Sequence, residues 1–178
     1  MIELVIDSIR VGLRHYRRVV VLREKEADRF LTIWIGADVA EAIALKLQDV
    51  AVPRPQTHDL LHNVIGDLGG TVKSVIVNDL KDDTFFAKIV VEQDGQTLEI
   101  DSRPSDAIAL AVRAEVPIYA TDDVLDRAGI ILDDEGPPVE GQGERERPAA
   151  PTAEELEKLA PFRDFVSGLD LDDLGKKE

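Results

Sequence analysis

Two short polar segments each carry an arginine, a hydroxyl side chain and a carboxylate within a few residues. Residues 53–62 read PRPQTHDLLH, and residues 101–113 read DSRPSDAIALAVR. Arginine side chains and the free N–H groups at the start of a helix both favour negatively charged oxygens. The two segments therefore predict helix starts that bind an anion such as phosphate, with Arg54 and Arg103 as its direct partners.

Helix-starting chemistry is an alternative explanation for most of the second segment. Pro104 suits a first helical turn, and Asp106 suits the positive end of the helix dipole. Ser102 or Ser105 can cap the exposed N–H groups of that turn. Arg103 is left unexplained, because an arginine beside a buried helix start needs a carboxylate or another anion as its partner. Structural caps and the edge of a site both remain open.

The first segment predicts acid–base or metal chemistry at the start of a second helix. Thr57 is the predicted N-cap of that helix, and His58 and Asp59 follow it directly. A histidine beside a carboxylate can act as a base or a metal ligand where both point into a cleft. The alternative is again structural, since Thr-His-Asp is also an ordinary capped and solvated helix start.

A third candidate is the basic segment RVGLRHYRR at residues 10–18. It contains four arginines, among them Arg14 and Arg17, together with His15 and Tyr16 and no acidic residue. Basic side chains beside an aromatic ring suit a nucleic-acid strand, through phosphate pairing and base stacking. The alternative is a solvated hairpin loop between two strands.

The hydrophobic pattern predicts an α+β fold that positions these segments. Strands are expected at 2–11, 18–24, 29–35, 71–79, 84–92, 96–101 and 117–120, and helices at 38–49, from 57, from 103 and at 122–128. Asp38 and Glu41 have the spacing of a capping box at the first helix. The run AIALAV after Asp106 is apolar on nearly every side, so its helix is expected to be buried.

The sequence also contains a weak internal repeat. EAIALKL begins at Glu41 and DAIALAV begins at Asp106, 65 residues later. Each half reads strand–strand–strand–helix, with a carboxylate in the first turn of the helix. We therefore predict two related β-β-β-α repeats that form one compact domain, with Glu41 and Asp106 in corresponding positions.

Charge divides the chain into a mildly acidic main part and a strongly acidic end. Of the net charge of −15, residues 1–131 carry −7 and residues 132–178 carry −8. This balance argues against a generic nucleic-acid binder, because phosphate contacts need clustered Lys and Arg. The predicted organisation is a domain at 1–131, a disordered Gly/Pro-rich linker at 132–151 and a short amphipathic helical tail at 152–178 that docks on its own domain or on a partner.

Several classes of protein are excluded by what the sequence lacks. There is no cysteine, no Walker loop, no GxGxxG and no GxSxG. The N-terminus does not read as a signal peptide, and no apolar run approaches the roughly 18 residues of a membrane span, so a cytoplasmic protein is expected. Carboxylates, histidine and arginine would have to carry any catalysis, which fits divalent-metal hydrolysis of phosphodiesters.

Five ordered blocks of residues 2–131 resemble the bifunctional nuclease family, which occurs in bacteria and plants. They are IWIG with EAIAL, PRPQTHDLL, GTVKSVIVNDLKDDTFFAKIVV, DSRPSDAIALAVR and VPIYATDDVL. The resemblance implies two related β-β-β-α units, a tendency to form homodimers and nuclease activity on DNA and RNA. Within the matching blocks lie Arg54, Thr57, His58, Asp59, Arg103, Ser105 and Asp106.

We predict specific roles for these residues and for the basic segment. Asp59 and Asp106 are the expected catalytic carboxylates and ligands of Mg²⁺ or Mn²⁺, with Glu41 as a third ligand and His58 as the proton carrier. The expected substrate-binding residues are Arg54, Thr57, Arg103, Ser105, Arg14 and Arg17. The alternative is a non-catalytic dimeric regulatory or scaffold domain that binds an unknown protein partner through its acidic tail, with the polar groups of both motifs paired to one another.

Overall fold

Residues 1–12 and 17–131 are described by the structure, a computed structural model, and they contain one sheet and four helices. The strands are β1 (Ile2–Val11), β2 (Arg18–Glu24), β3 (Arg29–Ile35), β4 (Thr71–Lys81), β5 (Thr84–Gln93), β6 (Gln96–Ser102), β7 (Ile118–Ala120) and β8 (Ile130–Ile131). The helices are α1 (Ala37–Leu47), α2 (Thr57–Asp67), α3 (Pro104–Ala114) and α4 (Asp122–Ala128). The predicted α+β class is confirmed, and the two-residue strand β8 is the element that the sequence pattern missed.

The eight strands form a single sheet in the order β6-β5-β4-β7-β1-β2-β3-β8. Two antiparallel three-stranded units, β1–β2–β3 and β4–β5–β6, lie on either side of β7. β7 is parallel to β4 and antiparallel to β1, so it joins the two units. Each unit is followed along the chain by a helix. This order agrees with a duplication, and the β-β-β-α repeat itself stays a prediction.

Helix α3 lies at the centre of the core. Its residues 107–111 are at most 1 % exposed on every side, which confirms the burial that the run AIALA predicts. Three of these five residues are alanines, whose short side chains allow a helix to pack closely against its neighbours. α3 packs against α1, α2 and the strands β4 and β5. Its first turn therefore lies next to the other helices and not free in solvent.

The predicted N-caps of α1 and α2 are each displaced by one or two residues. Gly36 precedes α1 and provides no side chain, so Asp38 lies in the first turn and does not cap the helix. Gln56 is the N-cap of α2, and Thr57 is its first helical residue. The Asp59 carboxylate accepts a hydrogen bond from the Gln56 backbone N–H at 2.8 Å, as a carboxylate at the third helical position can.

The start of α3 agrees only partly with its prediction. Pro104 occupies the first turn and Asp106 follows within it, both as predicted. The N-cap is Arg103, and neither Ser102 nor Ser105 caps the helix with its side chain. Ser102 instead donates to the carbonyl oxygen of Arg103 at 3.0 Å.

Some predictions concern residues outside the described ranges. These are Arg14, His15 and Tyr16 of the basic segment, the linker at 132–151 and the tail at 152–178. Within residues 1–12 and 17–131, no helix is long and apolar enough to cross a membrane.

Candidate functional site

The first turns of α2 and α3 meet at a hydrogen-bonded chain of three side chains. His58 Nε2 lies 3.1 Å from Asp106 Oδ1, and Arg103 Nε donates to Asp106 Oδ2 at 2.6 Å. The exposed fraction of the side chain rises from 9 % for His58 through 25 % for Asp106 to 76 % for Arg103. The two predicted motifs therefore join in one array, which we call the His–Asp–Arg array, and it runs from the interior to the surface.

The carboxylate of Asp106 is ionised at neutral pH. Its partial burial opposes ionisation, but hydrogen bonds from Arg103 and His58 outweigh that effect and lower the pKa of Asp106. In return, Asp106 at close range, and Asp38 of α1 at longer range, raise the pKa of Arg103. Asp106 and Arg103 thus form an ion pair at the start of α3, and His58 bonds to the same carboxylate.

An ionised Asp106 determines the tautomer of His58. A carboxylate only accepts hydrogen bonds, so His58 Nε2 must carry the proton that joins them. In the neutral ring, Nδ1 is then left as an acceptor. No described residue bonds to Nδ1, and the one buried side-chain atom without a partner in this part of the chain is Asn78 Oδ1. Nδ1 is therefore an acceptor that no described residue uses.

Asp59 belongs to a separate network that contains the buried Arg113. Its Oδ1 accepts a hydrogen bond from Arg113 Nε at 2.5 Å, and its Oδ2 accepts the Gln56 N–H. Burial opposes ionisation of Asp59, but the Gln56 N–H and the Arg113 guanidinium outweigh it and hold the pKa of this carboxyl below its ordinary value. Both carboxylate oxygens of Asp59 are therefore used within the protein.

Sequence reasoning missed Arg113. Its side chain is 4 % exposed and lies in α3, seven residues after Asp106. The available signal was a single arginine at the end of an otherwise apolar buried helix, since a buried charge requires a partner. The partner, Asp59, is 54 residues away in sequence, and nothing in the local pattern identifies it.

The remaining predicted binding residues in the described ranges are exposed or half-buried. Arg54 and Thr57 are exposed, and Arg54 makes no ion pair with another described residue. Ser105 is half-buried in the first turn of α3. Arg17 is exposed at the start of β2, in the basic segment. These groups are accessible to a phosphate, which is the minimum that their predicted role requires.

Glu41 does not join the array. It is exposed on α1 and lines a shallow depression of about 370 Å³ with Ile9, Val11 and Arg18. The carboxylate of α1 whose charge acts on Arg103 is Asp38. Position 41 and position 106 begin similar sequences, but their side chains lie in different surroundings.

The described residues do not form a metal cage. Across residues 1–12 and 17–131, no three His, Asp or Glu side chains lie close enough together to hold one ion. The oxygens of Asp59 and Asp106 already accept hydrogen bonds from Arg113, Gln56, Arg103 and His58. The predicted ligand set of Asp59, Asp106 and Glu41 therefore does not fit a metal site formed by the described residues alone.

Comparison with known proteins finds one family model that covers both motifs. A family model described as the bifunctional nuclease domain matches residues 20–133. An uncharacterized protein of Mycobacterium tuberculosis is 40 % identical over 165 residues, which cover 93 % of this chain and 94 % of that protein.

More distant similarity extends to plants. Bifunctional nuclease 1 of Arabidopsis thaliana is 31 % identical over 103 residues, which cover 56 % of this chain and 32 % of that protein. Bifunctional nuclease 1 of Oryza sativa subsp. japonica is 24 % identical over 106 residues, which cover 58 % of this chain and 32 % of that protein. The plant similarity is thus confined to about a third of each plant protein.

Proposed function

The chain belongs to the bifunctional nuclease domain family, and from that premise we propose that it is a nuclease that hydrolyses phosphodiester bonds of DNA, RNA or both. The observation that carries the proposal is the His–Asp–Arg array. It joins the two family motifs and combines a proton acceptor, a carboxylate that orients it and an exposed cation. Those are the groups that attack by water on a phosphodiester requires.

The proposed reaction uses His58 as the general base. His58 Nδ1 removes a proton from a water molecule as its oxygen forms a bond to phosphorus, and Asp106 stabilises the imidazolium that results. The opposite P–O ester bond breaks, and the leaving oxygen takes a proton from solvent. Arg103, with Arg54 and Ser105, binds the non-bridging phosphate oxygens, whose negative charge grows during attack.

We include Mg²⁺ or Mn²⁺ in the proposal only as an ion that binds together with the phosphates of the substrate. Mg²⁺ keeps several waters and is often bound by one or two carboxylates together with phosphates of the substrate. Such an ion would lower the charge of the substrate phosphate, and the substrate itself would have to supply ligands that the described residues lack.

The test is cleavage of labelled single- and double-stranded DNA and RNA by the full chain, with Mg²⁺, with Mn²⁺ and with a chelator. His58→Gln and Asp106→Asn are compared with Asp123→Asn. Asp123 is a matched control, because it also lies in the first turn of a helix and pairs with an arginine, Arg127, at 3.1 Å. We expect the first two variants to lose about 10²–10⁴-fold in kcat and the control to keep wild-type activity. Full activity in folded His58→Gln and Asp106→Asn would place the activity outside this array.

A second candidate function is a non-catalytic regulatory or scaffold domain. The observation that favours it is that most polar groups of the two motifs are paired with one another: Asp59 with Arg113, and Asp106 with Arg103 and His58. A homodimer is expected under either function, and sedimentation of the full chain would measure it. If the purified protein cleaves no substrate under any condition, this second function is favoured, with residues 152–178 as the first segment to examine for a partner.

A further inference from the structure

Arg113 connects three helices beneath the His–Asp–Arg array. Its guanidinium donates to Asp59 Oδ1 at 2.5 Å and to Gln56 Oε1 at 2.9 Å, both at the start of α2. It also donates to the carbonyl oxygen of Ala109 in α3 at 2.9 Å and to that of Ala42 in α1 at 3.3 Å. One buried side chain thus links α1, α2 and α3.

The contacts to α2 define the orientation of its first turn. A planar guanidinium makes bonds in fixed directions, so contacts at two positions determine both the distance and the angle of the partner segment. Asp59 extends the connection, since it also accepts the Gln56 N–H at the N-cap. His58 lies between these two residues, and its backbone position is set with theirs.

The hydrogen bond of His58 depends on that orientation. His58 Nε2 and Asp106 Oδ1 lie 3.1 Å apart, near the long end of the range for such a bond. A displacement of α2 by about 1 Å would break it, and errors of that size at a reacting group can cost about 10² in rate. Arg113 makes no hydrogen bond or ion pair with His58 or Asp106 in the described part of the chain, and its side-chain bonds to α2 are those to Asp59 and Gln56 at the start of that helix.

We propose that Arg113 is the positioning residue of the site, which holds the first turn of α2 so that His58 stays bonded to Asp106. The geometric part of this inference stands alone, and its catalytic meaning rests on the proposed function. It also gives Asp59 a different role from the one its motif predicts. Asp59 is the acceptor through which Arg113 holds α2, and the proton chemistry belongs to His58 and Asp106.

The experiment observes the His58 ring directly by NMR of the ¹⁵N-labelled full chain. The Nε2 proton signal is assigned by its loss in His58→Gln, since the chain contains three histidines. We expect a signal with slowed solvent exchange in the wild type and its loss in folded Arg113→Met. Arg127→Met is the control, because Arg127 also pairs with an aspartate and donates to a backbone carbonyl but lies on α4 at the surface. An unchanged signal in folded Arg113→Met would overturn the inference.

Arg113→Lys separates positioning from simple charge balance. Lysine keeps the charge but cannot make the four directed bonds. A positioning role therefore predicts that the His58 Nε2 proton signal is lost in Arg113→Lys. A role in charge balance alone predicts that the signal is kept. If Arg113→Met does not fold, Gln56→Ala decides, because it removes one of the two bonds from Arg113 to α2, together with the Gln56 side chain of the capping box, and leaves the Asp59 pair in place. A weakened His58 signal in Gln56→Ala supports the inference, and an unchanged one contradicts it.

Kinetics connect the inference to the proposed function. Where the wild type cleaves nucleic acid, Arg113→Lys should lower kcat by about 10²-fold with KM unchanged, since phosphate binding by Arg103 and Arg54 is not altered. If the wild type has no nuclease activity but Arg113→Met still loses the His58 ring signal, the proposed function is refuted and the positioning role of Arg113 stands. The two failures are therefore distinguishable.

Discussion

At the scale of single residues, Asp59 and Asp106 differ although their local sequences are similar. Both lie in the first turn of a helix, and both have a pKa lowered by arginine and other hydrogen-bond donors against the effect of burial. Asp106 pairs with an arginine that is 76 % exposed, whereas Asp59 pairs with one that is 4 % exposed. The two carboxylates are similarly exposed, at 25 % for Asp106 and 29 % for Asp59, so the difference lies in the partner: Asp59 neutralises a buried charge and Asp106 an exposed one.

This difference predicts unequal stability of the two Asn variants. Asp59→Asn leaves the buried Arg113 without a counter-charge and should lower the free energy of unfolding by about 3 kcal/mol. Asp106→Asn removes a pair that solvent can partly replace and should cost about 1 kcal/mol or less. Urea denaturation at pH 7 measures both values. Equal losses would mean that the burial of Arg113 carries no special penalty.

The lowered pKa of Asp59 also predicts a pH dependence. Its folded pKa lies below the ordinary value of 3.8, so its contribution to stability is present above that value and is lost as pH falls through the folded pKa. The difference in unfolding free energy between wild type and Asp59→Asn should therefore shrink below about pH 4. Denaturation curves at pH 7, 5, 4 and 3 test this, and a difference that stays constant to pH 3 would contradict it.

At the scale of elements, the turns between strands show how local chemistry selects conformation. The β5–β6 connection uses Asp94 and Gly95 with φ of 50° and 74°, as the predicted Asp-Gly turn requires. The β4–β5 connection has the same left-handed pair at Asp82 and Asp83, with φ of 46° and 57° and no glycine. The β4–β5 turn therefore has a steric cost at Asp83 that the β5–β6 turn avoids at Gly95.

Asp83→Gly should therefore stabilise the protein. Glycine adopts positive φ without a clash of its β-carbon, so we expect a gain of about 0.5–1 kcal/mol in the free energy of unfolding. Gly95→Asp is the reciprocal variant and should lose a similar amount. Thermal unfolding of the two variants beside the wild type provides the comparison, and a destabilising Asp83→Gly would show that the Asp83 side chain has an unrecognised role.

At the scale of the whole molecule, net charge limits how nucleic acid can bind. The chain carries −15, and the exposed cations that we assign to phosphate are Arg54, Arg103 and Arg17. Binding must therefore be local to these few cations, because the net charge of the chain repels a polyanion. This is also why the helix N-termini, which favour anions without adding a formal charge, matter for the proposed site.

Few phosphate contacts predict a weak salt dependence. About three contacts to a single strand correspond to a slope near −2 in a plot of log K against log salt concentration. Fluorescence anisotropy measures this slope, with labelled single-stranded DNA and RNA at salt concentrations between about 50 and 300 mM. Arg103→Gln should reduce the slope by about one phosphate, or 0.7. A slope steeper than about −5 would require a basic surface that these residues do not supply.

The sequence by itself determined the elements and the identity of the important motifs. Strand and helix positions followed from hydrophobic periodicity, and the burial of α3 followed from a run of apolar residues with no polar face. These are local properties, since each depends on residues within one or two turns. The family resemblance, which the comparisons confirm, also rests on short ordered blocks.

Only the tertiary structure decided which side chains pair. His58 bonds to Asp106 across 48 residues and Asp59 bonds to Arg113 across 54, because the packing of α2 on α3 brings two distant helix starts together. Local sequence predicted caps at Asp38, Thr57 and Ser102 or Ser105, but the N-caps in the structure are Gly36, Gln56 and Arg103. Side-chain partners depend on how the sheet arranges whole helices, and periodicity along one segment does not encode that arrangement.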